Sequence, residues 1–87
     1  MIYLPIITAQ DYESFHGLLH SHIPHAYDKW LKLHARWHQH YTAERNLICN
    51  VHVNPGQFAA HLKTTRHAPN MNELLVFAEI TAKGAAH

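Results

Sequence analysis

The chain predicts a small single α+β domain, two strands and four helices in the order β-α-α-β-α-α. Three features carry that expectation. Two short segments, residues 2–8 and 47–53, are rich in β-branched side chains. Apolar residues recur at helical spacing in the stretches around them. A capping or breaking residue stands at most of the junctions.

The first strand holds Pro5, which has no N–H for a ladder and so favours a sheet edge. Asp11 and Glu13 then mark a helix start, where the backbone dipole favours negative charge. Tyr12, Phe15, Leu19 and Ile23 form its inward stripe, and Pro24 ends it. Gly17 weakens this helix by about 1 kcal/mol relative to alanine. A second helix is expected over residues 25–44, with Tyr27, Trp30, Leu31, His34, Trp37, His38 and Tyr41 facing inward and Asn46 as its stop.

In the second strand, Leu47, Cys49, Val51 and Val53 share one face, while Ile48, Asn50 and His52 share the other. Asn54-Pro55 is a strong helix start, a capping side chain followed by proline at the first helical position. Phe58, His61, Leu62 and Thr65 form the inner face of that third helix, and Ala68-Pro69 breaks it. Asn70 caps a fourth helix carrying Met71, Leu74, Leu75, Phe77, Ala78 and Ile80, with Gly84 just past its end. No internal repeat or linker interrupts this pattern.

At 87 residues the chain has room for one domain, residues 1–87. Ordering so short a chain costs on the order of 1.5 kcal/mol per residue, close to what apolar burial returns. Such domains often add a disulfide, a metal or a partner subunit. Cys49 is the only cysteine, so no disulfide forms within the chain. Two strands also make a poor sheet alone, and pairing across a dimer would hide an exposed edge. A net charge of +1 creates no strong field for nucleic acid or anionic lipid. The N-terminal apolar run is short, broken by Pro5 and without a basic flank, so it reads neither as a signal peptide nor as a membrane span. A cytoplasmic protein is expected.

The stretch Val53-Asn54-Pro55-Gly56-Gln57-Phe58-Ala59-Ala60 is followed by Asn70-Met71-Asn72-Glu73-Leu74-Leu75-Val76-Phe77-Ala78, with Tyr27-Asp28-Lys29-Trp30-Leu31 upstream. In these segments the chain resembles small bacterial proteins of similar length and unknown function. The resemblance covers most of the chain and rests on caps and core positions. It implies no activity, and no functional residue is carried over from it.

Histidine is the chemical feature that stands out, with eleven in the chain and seven of them between His16 and His40. It is the commonest transition-metal ligand and titrates near neutral pH. His16 and His20 are i, i+4, as are His34 and His38, so each pair projects from one helix face. Glu13 joins the first pair, and His61 or His67 would complete a site if the fold brought them near. Two histidines and a carboxylate suit zinc, nickel or another divalent transition metal. Against this, there is no HExxH, no CxxC and no set of four ligands at diagnostic spacing. The competing reading makes most of these rings exposed helix positions and His34 and His38 hydrogen-bonded rings at the edge of the core. Burial of that pair at an interface would make assembly sensitive to acid.

His25, Lys29, Lys32, Arg36 and His40 form a basic face on the second helix, and Lys63, Arg66 and His67 form a shorter cluster. Lys29, Lys32 and Arg36 are the candidate anion ligands, although such a stripe is more often the solvated side of an amphipathic helix. Asp28, Glu44, Glu73 and Glu79 read as scattered surface charges. Catalysis has less support. Cys49 is expected to point inward as a small apolar residue, and His52 lies on the other strand face. No phosphate loop and no G-x-S-x-G is present.

The sequence therefore leads to a non-enzymatic protein-interaction or regulatory module, without a cofactor, that self-associates as a homodimer and binds another protein if it binds anything else. Neither nucleic acid nor a membrane is expected as its partner. Trp30, Trp37, Tyr41, Phe58, Leu74, Leu75 and Phe77 are the expected core or interface. The second reading is a histidine-rich metal-binding module using Glu13, His16, His20, His34, His38 and His61. The third is a weak phosphate or nucleic-acid binder.

Overall fold

The computed structural model describes residues 1–84. Strand β1 (Ile2–Ile6) leads into helix α1 (Ala9–Leu19), a single 3-10 turn (His20–His22) and helix α2 (Tyr27–Ala43). Strand β2 (Ile48–His52), helix α3 (Pro55–Thr65) and helix α4 (Met71–Gly84) follow. The order is β-α-α-β-α-α, as the residue pattern indicates.

The two strands pair in parallel, with Ile2 opposite Ile48 and Ile6 opposite His52. Parallel pairing requires a crossover connection, which α1 and α2 provide. Ile2 N donates to Leu47 O at 2.8 Å and Val53 N to Ile6 O at 3.2 Å. Bonded residues alternate along such a ladder, so Ile2, Leu4 and Ile6 face β2 with their backbone groups, while Tyr3 and Pro5 turn theirs away. The donor that Pro5 lacks thus falls on the open edge of β1. Ile48, Asn50 and His52 turn their backbone groups to the open edge of β2 by the same alternation.

The helix starts are chemically explicit. Thr8 Oγ1 accepts from Asp11 N at 3.2 Å, Asn54 Oδ1 from Gln57 N at 3.0 Å, and Asn70 Oδ1 from Glu73 N at 2.8 Å. Each satisfies one of the backbone donors that a helix N-terminus leaves free. Helix α1 stops at Leu19, earlier than the apolar stripe suggests. His20 takes a positive φ of 51° and turns the chain out of the helix. Ile23 remains buried without being helical. Helix α3 closes at Thr65, before Ala68-Pro69, because Arg66 adopts the left-handed conformation and its N–H reaches Leu62 O at 2.8 Å. Gly84 lies within α4 rather than beyond it.

One core joins all the elements. An aromatic series links the helices: Trp30 of α2 meets Tyr12 of α1 at a ring-centroid distance of 6.1 Å, and Phe15 of α1 meets Phe58 of α3 at 5.8 Å. Phe58 then meets Phe77 of α4 at 5.4 Å. Ile7, Leu19, Val51, Val53 and Leu74 belong to the same core cluster as the rings, and Leu4 is buried as well. Burying each such side chain contributes roughly 1.5–3 kcal/mol.

Four expected inward positions lie elsewhere. Leu47 is 72% exposed because it precedes β2 and only its backbone carbonyl is engaged. Leu31 and Ile80 are each 50% exposed, and His38 is exposed, since the inward stripes of α2 and α4 are narrower than their apolar composition suggests.

Candidate functional site

Four local arrangements bear on function. The first is the open edge of β1. Tyr3 turns its backbone groups to that edge, where no other strand pairs with them among the described residues, while Pro5 beyond it is buried. A cleft of about 220 Å3 lies beside it, lined by Met1, Ile2, Tyr3, Leu4, Tyr41, Leu75, Val76 and Glu79. Tyr41 and Leu75 are half-buried in its walls, and Val76 and Met1 are exposed at its rim. Glu79 is paired with Lys83 at 2.9 Å one turn along α4. Of the other expected core or interface residues, Trp30, Phe58, Leu74 and Phe77 lie in the core, and Trp37 packs against it.

The second arrangement centres on Glu73, a residue the sequence suggests is an ordinary surface charge. It is 8% exposed. His61 Nε2–H donates to its Oε2 at 3.3 Å, and His67 Nδ1–H donates to its Oε1. A carboxylate only accepts, so these ring nitrogens carry the protons. Burial pushes the Glu73 carboxyl up, but the two imidazole hydrogen bonds outweigh it and hold the group below the usual carboxylate range. A local signal for this residue does exist in Asn70-x-x-Glu73, the spacing of a capping box. The side chain nevertheless turns to α3 and the α3–α4 loop, and nothing in the local sequence reveals that. His61 also stacks on Phe58 with centroids 6.3 Å apart.

The third arrangement surrounds His34. Its ring lines a cleft with Ile6, Ile7, Tyr27, Trp30 and Leu31. Burial, and then the neighbouring His38, push its pKa below the ordinary imidazole value. The fourth is the basic face of α2, where Lys29, Lys32 and Arg36 line a cleft of about 370 Å3 with Pro24 and Leu33. Glu44, at the end of the same helix, pairs with His40 at 2.6 Å on an exposed surface.

The expected metal sets do not assemble. His20 lies beyond the end of α1, so its register with His16 and the exposed Glu13 is broken. His16 instead packs edge-on against His25, with ring centroids 5.1 Å apart. His34 and His38 share α2, while His61 is engaged by Glu73 on another helix. Among the described residues, no three His, Cys, Asp or Glu side chains gather where they could hold a metal ion. Cys49 is a half-buried free thiol packed against the core. No described helix is long and apolar enough to cross a membrane.

Fold and sites together define a small α+β domain with an open sheet edge and a buried carboxylate bridging two imidazoles. The chain matches no family model, no curated protein and no solved structure.

Proposed function

We propose that this chain is a self-associating interaction module, in which a second copy covers the open edge of β1 and the apolar cleft beside it. The observation that carries this reading is Tyr3, which turns both an N–H and a C=O outward from a strand with no second strand neighbour among the described residues. Antiparallel pairing of two β1 strands about Tyr3 would satisfy those groups reciprocally. Pro5 keeps that ladder short, so side chains must supply most of the affinity. Met1, Leu47, Val76 and Ile80 are exposed large apolar residues, and Met1 and Val76 line the cleft itself. With a net charge of only +1, two copies meet little long-range repulsion.

The test is the mass of untagged protein by light scattering, at about 100 µM, a concentration at which micromolar affinity is visible. The expected value is twice the chain mass of 10.1 kDa. Val76→Lys combined with Ile80→Lys should return it to the single-chain mass with an unchanged circular dichroism spectrum. A single-chain mass for the wild type would end this reading. Loss of the dimer with chelator would move the explanation to metal.

A second reading rests on Lys29, Lys32 and Arg36, which share one cleft. No ion pair engages any of the three among the described residues. This supports a site for a phosphate-like anion, with affinity that falls as salt rises. Inorganic phosphate binding by calorimetry at low salt, abolished by Lys32→Glu with Arg36→Glu, is the expected result. No heat signal from the wild type would dismiss it.

A further inference from the structure

Helix α2 places Lys29, Leu33 and Arg36 at i, i+4 and i+7, one row along its surface, with Lys32 next to Leu33. All four side chains line a cleft of about 370 Å3 together with Pro24. The three cations are exposed, and Leu33 and Pro24 are half-buried. Leu33 packs against the core, and the Tyr12 hydroxyl donates to Pro24 O, so both apolar walls are held in place before any ligand arrives.

Lys29 and Lys32, and then Lys32 and Arg36, are like-charged neighbours on one helix face, an arrangement that works against the helix. Asp28 precedes Lys32 by one turn, yet no ion pair engages any of the three cations among the described residues. No carboxylate lines the cleft either.

Charge, size and lining together select a ligand. Three cations favour an anion, and a phosphate monoester carries close to two charges near neutral pH where a carboxylate carries one. The cleft falls at the lower end of the roughly 300–1,000 Å3 that small-molecule sites occupy. Its volume equals about twelve waters at roughly 30 Å3 each, more than twice the non-hydrogen atoms of a bare phosphate. A phosphate joined to one aromatic ring has about that many. Leu33 and Pro24 offer such a ring an apolar surface that a bare phosphate leaves in water.

We propose that this cleft binds a small phosphate monoester of a single aromatic ring, its phosphate among Lys29, Lys32 and Arg36 and its ring on Leu33 and Pro24. This rests on the anion-site reading of the same cleft and adds the body that the anion carries.

Phenyl phosphate, inorganic phosphate and phenol are the probes, titrated into the whole chain by calorimetry at about 20 mM salt, where ionic contacts are weakly screened. Phenyl phosphate should bind about tenfold more tightly than inorganic phosphate, the ratio that covering roughly 60 Å2 of apolar surface supports. Phenol should give no heat at the same concentrations. NMR should show cross-relaxation between the ring protons of phenyl phosphate and the Leu33 methyl groups. Leu33→Asn should bring phenyl phosphate to the affinity of inorganic phosphate and leave the latter unchanged. Equal affinities for the two anions in the wild type would overturn the proposal and leave the anion site standing. No heat from either anion would remove both. Tighter binding of phenyl phosphate without a signal to Leu33, or phenol binding as well as phenyl phosphate, would also overturn it. If Leu33→Asn fails to fold, the wild-type ratio and the Leu33 contact still decide the point.

Discussion

Glu73 on α4 and His61 on α3 stand twelve residues apart in sequence, and their side chains meet at 3.3 Å between Oε2 and Nε2. With His67 on the other carboxylate oxygen, Glu73 ties α3, the following loop and α4 into one unit. Removing the acceptor leaves the mostly buried His61 donor unpaired, which costs more than the bond itself contributes. Glu73→Leu should therefore lower the urea midpoint more than Glu73→Gln, which keeps one neutral acceptor. Equal midpoints for wild type and Glu73→Leu would show that the bridge contributes nothing.

Stability should fall in two stages on acidification. His34 is held neutral when folded, so below about pH 6.5 the unfolded chain binds a proton that the folded chain declines. That contribution is present at neutral pH and is lost as the pH falls through the ordinary imidazole value toward the lower folded one. Glu73 acts in a lower window. Its folded carboxyl lies below the ordinary 4.5, so its contribution is present above that value and disappears as the pH falls through the folded pKa. Urea midpoints between pH 8 and 3 should show both stages, with His34→Leu flattening the first and Glu73→Gln the second. Unchanged profiles in both variants would refute these assignments.

Gly17 sits on an exposed position of α1, and a Cβ built there meets nothing within 4 Å. Its φ is not in the left-handed region. Gly17→Ala should then raise stability by about 0.5–1 kcal/mol, through lower unfolded-chain entropy and better helix propensity. A thermal melt reads this directly, and a lowered midpoint would contradict the geometry.

Tyr27 ties α2 to the end of β1 through its hydroxyl on Ile7 O, and its ring packs edge-on against Tyr12 with centroids 5.2 Å apart. Tyr27→Phe keeps the ring and deletes the bond, so it should cost about 1 kcal/mol. Tyr27→Leu, which also loses the aromatic contact, should cost more. Denaturant titration separates the two, and a neutral Tyr27→Phe would mean that water replaces the hydroxyl.

The order of elements is legible in the sequence because its signals are local. Asn54-Pro55 and Asn70 cap within three residues of themselves, and Tyr12, Phe15 and Leu19 repeat on one side of a helix wherever that helix packs. Lone positions misled where local pattern and packing part company. Leu47 continues a strand alternation but lies outside the ladder, and His20 continues an i, i+4 spacing beyond the end of its helix. Glu73 has a capping-box spacing, yet its carboxylate is spent on imidazoles that only the packing of α3 against α4 delivers.

The α+β class, the six main elements, the caps of the later helices and the aromatic residues of the core can all be read from residue pattern alone. These follow from backbone hydrogen bonding and apolar periodicity, which act over a few residues. Long-range packing sets the parallel pairing of β1 and β2, the outward turn of Tyr3 on the strand edge, and the burial of His34 Nε2 without a partner among the described residues. It also decided that the described histidines spread over α1, α2, β2, α3 and the connecting segments, and that of these His61 and His67 meet on Glu73. Those outcomes depend on pairs distant in sequence, whose meeting is set by how a whole core closes and not by the chemistry of any one segment.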